Sequence, residues 1–402
     1  MNTENMLDYT FSEDQELLRI TVREFCNREI KPRIKEMIKN RKIPAEIIKG
    51  MADLGILGMT IPEKYGGPGY DAVSVGIVAE EIGRADPTVS IPVFFLVDNA
   101  WSYLISKYGS EKLKQDYLPD VVKGKKIIGI ASTEPNFGSD VASMTTIATK
   151  DGNKYRVNGE KSYISLVRDI KEIGGGYVTV TKTSPEKPGT SGTSLLFVPF
   201  SEEHFDITYL EEMGREGSSW GAFKIKEYNI PSEYLIGKED QGFRIIHEGF
   251  EFARGLISVI SAGAALESIG RGVEYMKQRI AFGKPLTKFQ GLQFQVAENT
   301  ARMETALDMG YKALWVYDQE QKYHKFTRFQ VSKEIAKAKL LSTTWAFDAV
   351  NDALQWQGAF GYSKDCPEEW ALRGIRSFQL AEGSREIMKQ IIARETIGKD
   401  FI

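Results

Sequence analysis

Apolar positions recur three and four residues apart from the start of the chain. Leu18, Val22 and Phe25 follow Ser12 and Gln15, whose spacing is that of a capping box, so a first helix is predicted to begin near residue 12. Ile47, Ile48, Met51 and Leu54 repeat the pattern after Pro44, and another helical run from Val73 to Ile82 follows a Gly/Pro turn at Tyr65–Tyr70. The chain reads as helix through about Val122. From Ile127 the texture changes to short β-rich runs: Lys154–Val157, Gly176–Thr181, Thr193–Val198 and Ala222–Lys226. Asp151-Gly152 and Asn158-Gly159 read as tight turns, and Thr183–Gly192 as a Pro/Gly/Ser loop. These runs predict an antiparallel β domain ending near Gly237. Helical patterns at 243–280, 290–322, 327–358 and 384–397 then carry too many facing apolar stripes to be solvated singly, which predicts a bundle. The predicted class is α+β: an N-terminal all-α domain (1–126), a central antiparallel β domain (127–238) and a C-terminal four-helix bundle (239–402).

Composition narrows the function. With 402 residues, 42% of them apolar, the chain can bury a large core. Lys+Arg 52 against Asp+Glu 55 leaves a net charge of -3, with no block of like charges to bind nucleic acid or a membrane surface. Cys26 and Cys366 lie far apart without metal-ligand spacing, which fits a reducing compartment. The acidic, polar start Met1–Asp8 does not resemble a signal or transit peptide, so a cytoplasmic location is expected. The apolar stretch Gly255–Leu266 is too short to span a bilayer, so no membrane segment is expected. His204, His247 and His324 form no metal-ligand pattern, no serine stands in a nucleophile elbow, and neither Gly66–Gly69 nor Gly174–Gly176 matches a dinucleotide or phosphate loop. A redox function would need a cofactor that accepts two electrons.

Two carboxylates invite a chemical reading. Glu382 and Gly383 sit just before the helical run that starts at Ser384, so the acid is either a helix-terminus charge or a general base on a Gly-hinged segment. If Val93–Lys107 is helical, Asp98 shares a face with Phe94, Phe95, Trp101 and Ile105. It is then an N-cap, a buried acid satisfied by the Ser102 or Tyr103 hydroxyl, or a functional group.

The segments Thr133–Asp140, Asn158–Lys161, Arg279–Pro285 with Gln290, Gln355–Tyr362 and Ala381–Ile387 occur in the order and spacing of the acyl-CoA dehydrogenase family, which the chain resembles from about Phe11 to Gly398. The resemblance implies FAD as cofactor, bound without a Rossmann motif, an acyl-CoA substrate and electron-transfer flavoprotein as electron acceptor, in fatty acid metabolism. It implies that Glu382 is the base that removes the α proton of the thioester, with its own backbone N–H helping to polarise the carbonyl. It points to Ile130, Ser132, Thr133, Ser139, Tyr163, Ser165, Ser384 and Glu386 near the flavin, and to Ser139, Glu251, Arg254 and Gly383 near the substrate. Arg279, Phe282, Gln290, Gln355 and Gly358 resemble positions that bind the adenine and pyrophosphate of a neighbouring subunit's FAD, which implies a homo-oligomer, expected to be a tetramer. No metal is implied.

The chain also departs from the family. Tyr163-Ile-Ser-Leu166 stands where Trp-Ile-Thr-Asn is usual, Ser384 replaces Thr, and Gly374 replaces a frequent Asp whose salt bridge is therefore lost. Ala253 occupies the position from which some relatives supply the base. By resemblance the helix bearing Asp98 lines the acyl pocket, where the acid would take a second proton from a cyclohexane- or cyclohexene-carbonyl thioester or contact a polar acyl tail. Thr133–Asn136 and Ser143-Met144 look like the glutaryl-CoA branch, yet no arginine lies between Asp86 and Lys107 to bind a terminal carboxylate. A straight short chain is the default substrate. The alternatives are an acyl-CoA oxidase, an enoyl-CoA reductase, or a flavoprotein scaffold without turnover.

Overall fold

The computed structural model describes residues 10–398 and 401; the start Met1–Asp8, read above for targeting, lies outside them. Helix α1 (Glu13–Phe25) opens with the reciprocal cap that its spacing predicts: the Ser12 hydroxyl accepts from the Gln15 N–H at 3.2 Å, and Gln15 Oε1 from the Ser12 N–H at 3.1 Å. Then follow α2 (Ile34–Asn40), α3 (Ala45–Asp53), α4 (Ala72–Ala85), α5 (Ser90–Tyr108) and α6 (Glu111–Val122). Every residue of α5 from Ser90 to Ser102 is buried, so this helix has no solvated face along that length.

The sheet is built from β1 (Ile127–Ala131), β2 (Ile147–Asp151), β3 (Lys154–Ser165), β4 (Gly175–Lys182), β5 (Thr193–Pro199), β6 (Phe205–Leu210), β7 (Trp220–Pro231) and β8 (Leu235–Ile236), with α7 (Val167–Ile173) between β3 and β4. Its order is β6-β7-β3-β2-β4-β5-β8, and β1 also pairs with β4. It is mixed rather than antiparallel. β1 runs parallel to β4 from Ile127 opposite Gly175 to Ala131 opposite Thr179, because the intervening β2–β3 hairpin and α7 return the chain in its original direction. Asp151-Gly152 does begin the β2–β3 turn, but Asn158-Gly159 lies inside β3, where the register against β7 shifts. The glycine is needed there for close approach, since a Cβ would come within 2.4 Å of Thr146 Oγ1. Strand β6 escapes the sequence pattern because only Phe205 among its residues is buried.

The C-terminal part consists of α8 (Gly242–Gln278), a short hairpin of β9 (Ile280–Ala281) and β10 (Lys284–Pro285), α9 (Gln290–Tyr323), α10 (Arg328–Trp356), α11 (Pro367–Phe378) and α12 (Arg385–Ile397). α8 is long and apolar enough to cross a membrane, contrary to the reading of its Gly255–Leu266 stretch, but 89% of its apolar window is buried in the fold. It packs against α4, α5, α9 and α10. One hydrophobic core runs from Val22 through the sheet to Phe378.

Candidate active site

A cleft of ≈ 1490 Å³ opens where the sheet meets the C-terminal helices. A smaller pocket of ≈ 40 Å³ adjoins it, walled by Val93, Leu96 and Val97 of α5 together with Ile257 and Phe378. The two share Ile130, Ser165, Arg215, Ala381 and Glu382, so the acid stands at their junction.

Glu382 reaches that position through a tight connection. α11 ends at Phe378, and the Ser384 hydroxyl caps α12 by accepting the Ile387 N–H at 3.4 Å. Between them Glu382 has φ 56° and Gly383 φ 99°. The left-handed conformation costs a residue with a Cβ about 1–2 kcal/mol, so the loop must be held. Lys339 Nζ donates to the Ala381 carbonyl at 2.5 Å and to that of Gly383, and Arg254 Nε donates to the Glu382 carbonyl at 2.7 Å. Two buried cations thus bind three consecutive carbonyls, while among the described residues the Glu382 N–H has no acceptor.

Burial pushes the Glu382 carboxyl above its ordinary range, and Lys339, Arg254 and Arg215 pull it part of the way back. Lys339 is itself pushed down to about 7, first by burial and then by Arg254, with Glu382 opposing. Burial likewise lowers the Arg254 guanidinium, against Glu251 and Glu382.

The structure gathers Ile130, Ser132, Thr133, Ser139, Tyr163, Ser165, Arg254, Glu382, Gly383 and Ser384 around the cleft. Other predicted residues fall outside it. Glu251 is buried and accepts from the Ser332 hydroxyl, so Ser332 lines the cleft in its place. Glu386 is exposed on α12. Arg279, Phe282, Gln290, Gln355 and Gly358 are exposed at the opposite end of the long helices, Phe282 at 95%.

Asp98 is a correction. The face of α5 that meets the pocket carries Val93, Leu96 and Val97, and residue 98 lies about 100° further round the helix. Asp98 Oδ2 accepts the Gly58 N–H and Asn99 Oδ1 the Met59 N–H, both at 2.7 Å. The acid therefore anchors the 58–59 turn, and burial pushes its carboxyl up to about 7. It is not satisfied by its neighbours' hydroxyls: Tyr103 donates to Glu248 at 2.6 Å and Ser102 to the Asn99 carbonyl at 3.4 Å. Gly374 is required by packing, since a Cβ there would lie 2.5 Å from the Thr88 carbonyl oxygen. Beside it, Arg373 pairs with Glu216 and Glu369.

Arg215 and Lys339 were not foreseen. Lys339 carried a signal, because it lies on the buried stripe of Ile335, Ser342 and Ala346, where a lysine is costly. Arg215 sits in a loop without periodicity and carried none. Along the outer cleft, Tyr163 is half exposed at φ 61°, its ring 5.2 Å from that of Trp220 at 35°. This aromatic wall, flanked by the Ser132, Thr133 and Ser165 hydroxyls, suits a flat ring cofactor.

The profiles of the acyl-CoA dehydrogenase N-terminal, middle and C-terminal domains match residues 12–125, 129–228 and 240–397. A protein named acryloyl-CoA reductase (NADH), from Anaerotignum propionicum, is 33% identical over 97% of this chain and 96% of its own. A short-chain specific acyl-CoA dehydrogenase from Clostridium acetobutylicum is 31% identical, with 96% of this chain and 99% of its own covered. The solved structure of butyryl-CoA dehydrogenase from Megasphaera elsdenii superposes with a TM-score of 0.89 at 26% identity, covering 97% of this chain and 100% of that one.

Proposed function

The chain belongs to the acyl-CoA dehydrogenase family, and from that premise we propose that it is an FAD-dependent oxidoreductase that dehydrogenates a short-chain acyl-CoA thioester between Cα and Cβ. The observation that carries this reading is Glu382 at the junction of cleft and pocket, on a loop whose carbonyls are bound by Lys339 and Arg254.

Glu382 takes the α proton of the thioester. Its raised pKa brings it closer to neutrality, where a general base is most effective. The unpartnered Glu382 N–H is available to the thioester oxygen, so negative charge developing there meets a fixed donor. When bound, FAD would supply the acceptor for the two electrons and the hydrogen lost from Cβ, while Glu382 holds the α proton. Tyr163, Trp220 and the Ser132, Thr133 and Ser165 hydroxyls would hold the flavin, and Arg254 keeps the base loop in place. Arg244, Arg328 and Arg394 line the outer cleft, where they would face the phosphates of CoA. Arg279, Phe282, Gln290, Gln355 and Gly358 would complete the FAD site of a neighbouring subunit, in a homo-oligomer that we take to be a tetramer.

The inner pocket of ≈ 40 Å³ holds about three water-sized groups, which favours a short straight acyl chain over a six-membered ring. The proposed electron acceptor is electron-transfer flavoprotein. A second reading runs the chemistry backwards, with Glu382 delivering a proton to Cα of an enoyl thioester; the relative named as a reductase favours it. The test is the visible spectrum during anaerobic titration. Bleaching of the flavin by butyryl-CoA supports the dehydrogenase, and a yellow protein bleached by no thioester counts against it.

A further inference from the structure

The aromatic wall of the cleft is tied to α7 through one buried serine. Ser219 directly precedes Trp220, the first residue of β7. Its N–H and its hydroxyl donate to Asp169 Oδ2 at 3.2 and 2.6 Å, its hydroxyl oxygen accepts the Arg168 N–H at 2.8 Å, and its carbonyl accepts the Leu166 N–H at 2.7 Å. Every polar group of Ser219 is thus engaged by the start of α7. Asp169 is buried as well, and burial raises its pKa, with the charge of Glu172 adding to the effect. A buried carboxylate without a countercharge is costly, yet here its bonds go to a single serine.

The same short stretch sets the wall itself. Ser165 of β3 lies opposite Trp220 of β7, and the register slips between Lys161 and Ile164, where Tyr163 takes φ 61°. Leu166 follows at φ 64° and turns the chain into α7. Two left-handed residues with side chains, three positions apart, are strain that the surroundings must hold. α7 is fixed on its inner side by the buried Val167 and Ile170, and on its outer side by ion pairs of Glu172 with Lys42 and of Lys171 with Glu202 at 3.1 Å. The backbone before Trp220 is thereby clamped, while its ring meets that of Tyr163 in the cleft.

We propose that Asp169 and Ser219 are positioning residues for the cofactor: through α7 they hold the Trp220 ring beside that of Tyr163, and the two rings together form the surface on which the flavin stacks. The inference rests on the FAD-dependent function proposed above and extends its cofactor site to residues that do not line the cleft. Stacking depends on the offset and tilt of the rings, so a plate that is free to swing would bind a flat cofactor less well than a fixed one. Among the described residues the Trp220 indole N–H has no acceptor, which leaves its placement to ring contact and to the backbone that Ser219 holds. A clasp of this kind lowers the cost of binding by ordering the site beforehand.

The experiment is a double-mutant cycle on the FAD-loaded protein with Asp169→Ala, Trp220→Leu and the pair. The rate of FAD release after dilution, read from the recovery of free-flavin fluorescence, should rise about 10-fold in each single variant and little further in the pair, because Asp169 acts through Trp220. Asp169→Asn, whose side-chain oxygen can still accept from Ser219, should release FAD at close to the wild-type rate. The visible spectrum of the bound flavin should shift in Asp169→Ala as it does in Trp220→Leu, a change that lost stability alone does not produce. Ser219→Ala keeps the backbone bond to Asp169 and gives a milder second cycle with the same expectation, which serves if Asp169→Ala does not fold. Additive rises in the cycle would overturn the inference and leave the FAD-dependent reading intact. So would wild-type release and spectrum in a folded Asp169→Ala or in Trp220→Leu. A wild type that binds no FAD would remove the proposed function and the inference together.

Discussion

Arg254 donates its Nε–H to the backbone carbonyl of Glu382 at 2.7 Å, rather than to the carboxylate of the same residue. The arginine therefore fixes where the acid is without making an ion pair that would blunt it. Lys339 does the same for the carbonyls on either side. The left-handed backbone at Glu382 is strain retained at a functional position, and the two cations over-determine it.

Lys339→Met removes two of these tethers and one of the charges that stabilise the carboxylate. Reduction of the flavin by substrate should slow by about 10²-fold, the scale of a misplaced catalytic group, with FAD still bound. The acid limb of the pH–rate profile should also move to higher pH, since the carboxylate loses a cation that favours its charged form. Stopped-flow reduction across a pH series measures both; an unaltered profile would limit Lys339 to packing.

In the wild type, Glu382 must be ionised to accept a proton. Burial holds its pKa above the ordinary 4.5, so the rate of reduction should fall as pH drops through that raised value and recover as pH rises. An acid limb at or below pH 4.5 would contradict this.

Asp98 accepts the Gly58 N–H, so Asp98→Ala strands a buried donor and should destabilise the protein by about 1–3 kcal/mol. Urea unfolding reads that loss. The relative rates with butyryl-CoA and cyclohexane-carbonyl-CoA should stay unchanged in Asp98→Asn. A selective loss with the ring substrate would return Asp98 to the chemistry.

The exposed set at the far end of α8 should matter only in the assembly. Arg279→Glu and Phe282→Ala are expected to weaken FAD binding by about 10-fold or more through loss of contacts made across subunits. FAD stoichiometry after gel filtration, with light scattering for mass, measures this. Full FAD content in both variants would detach the patch from the cofactor.

Much of the fold was legible because local signals agree with packing. The Ser12 capping box marks a helix start that the structure places one residue later, at Glu13. Other elements were hidden for physical reasons. The stripe Trp370, Ala371, Ile375 and Phe378 belongs to α11 but is interrupted by Gly374, which disfavours helix locally and is kept for close packing on Thr88. The parallel pairing of β1 with β4 depends on a crossover that periodicity does not record. At the site, Glu382 was legible through the motif around it, whereas helical geometry could place Asp98 on an apolar face without saying which apolar face meets the pocket. Arg215 depended on a loop held from four directions, by Ser90, Met37, Arg373 and its own Ser218, and no local pattern encodes such convergence.

The most direct measurement is anaerobic stopped-flow reduction of the FAD-loaded protein, wild type beside Glu382→Gln, with the thioester that bleaches the wild type fastest. The variant should keep its flavin spectrum and lose about 10²–10⁴-fold in reduction rate, the usual scale for a positioned base. Reduction at the wild-type rate would show that Glu382 is not the base and would remove the centre of the proposed mechanism.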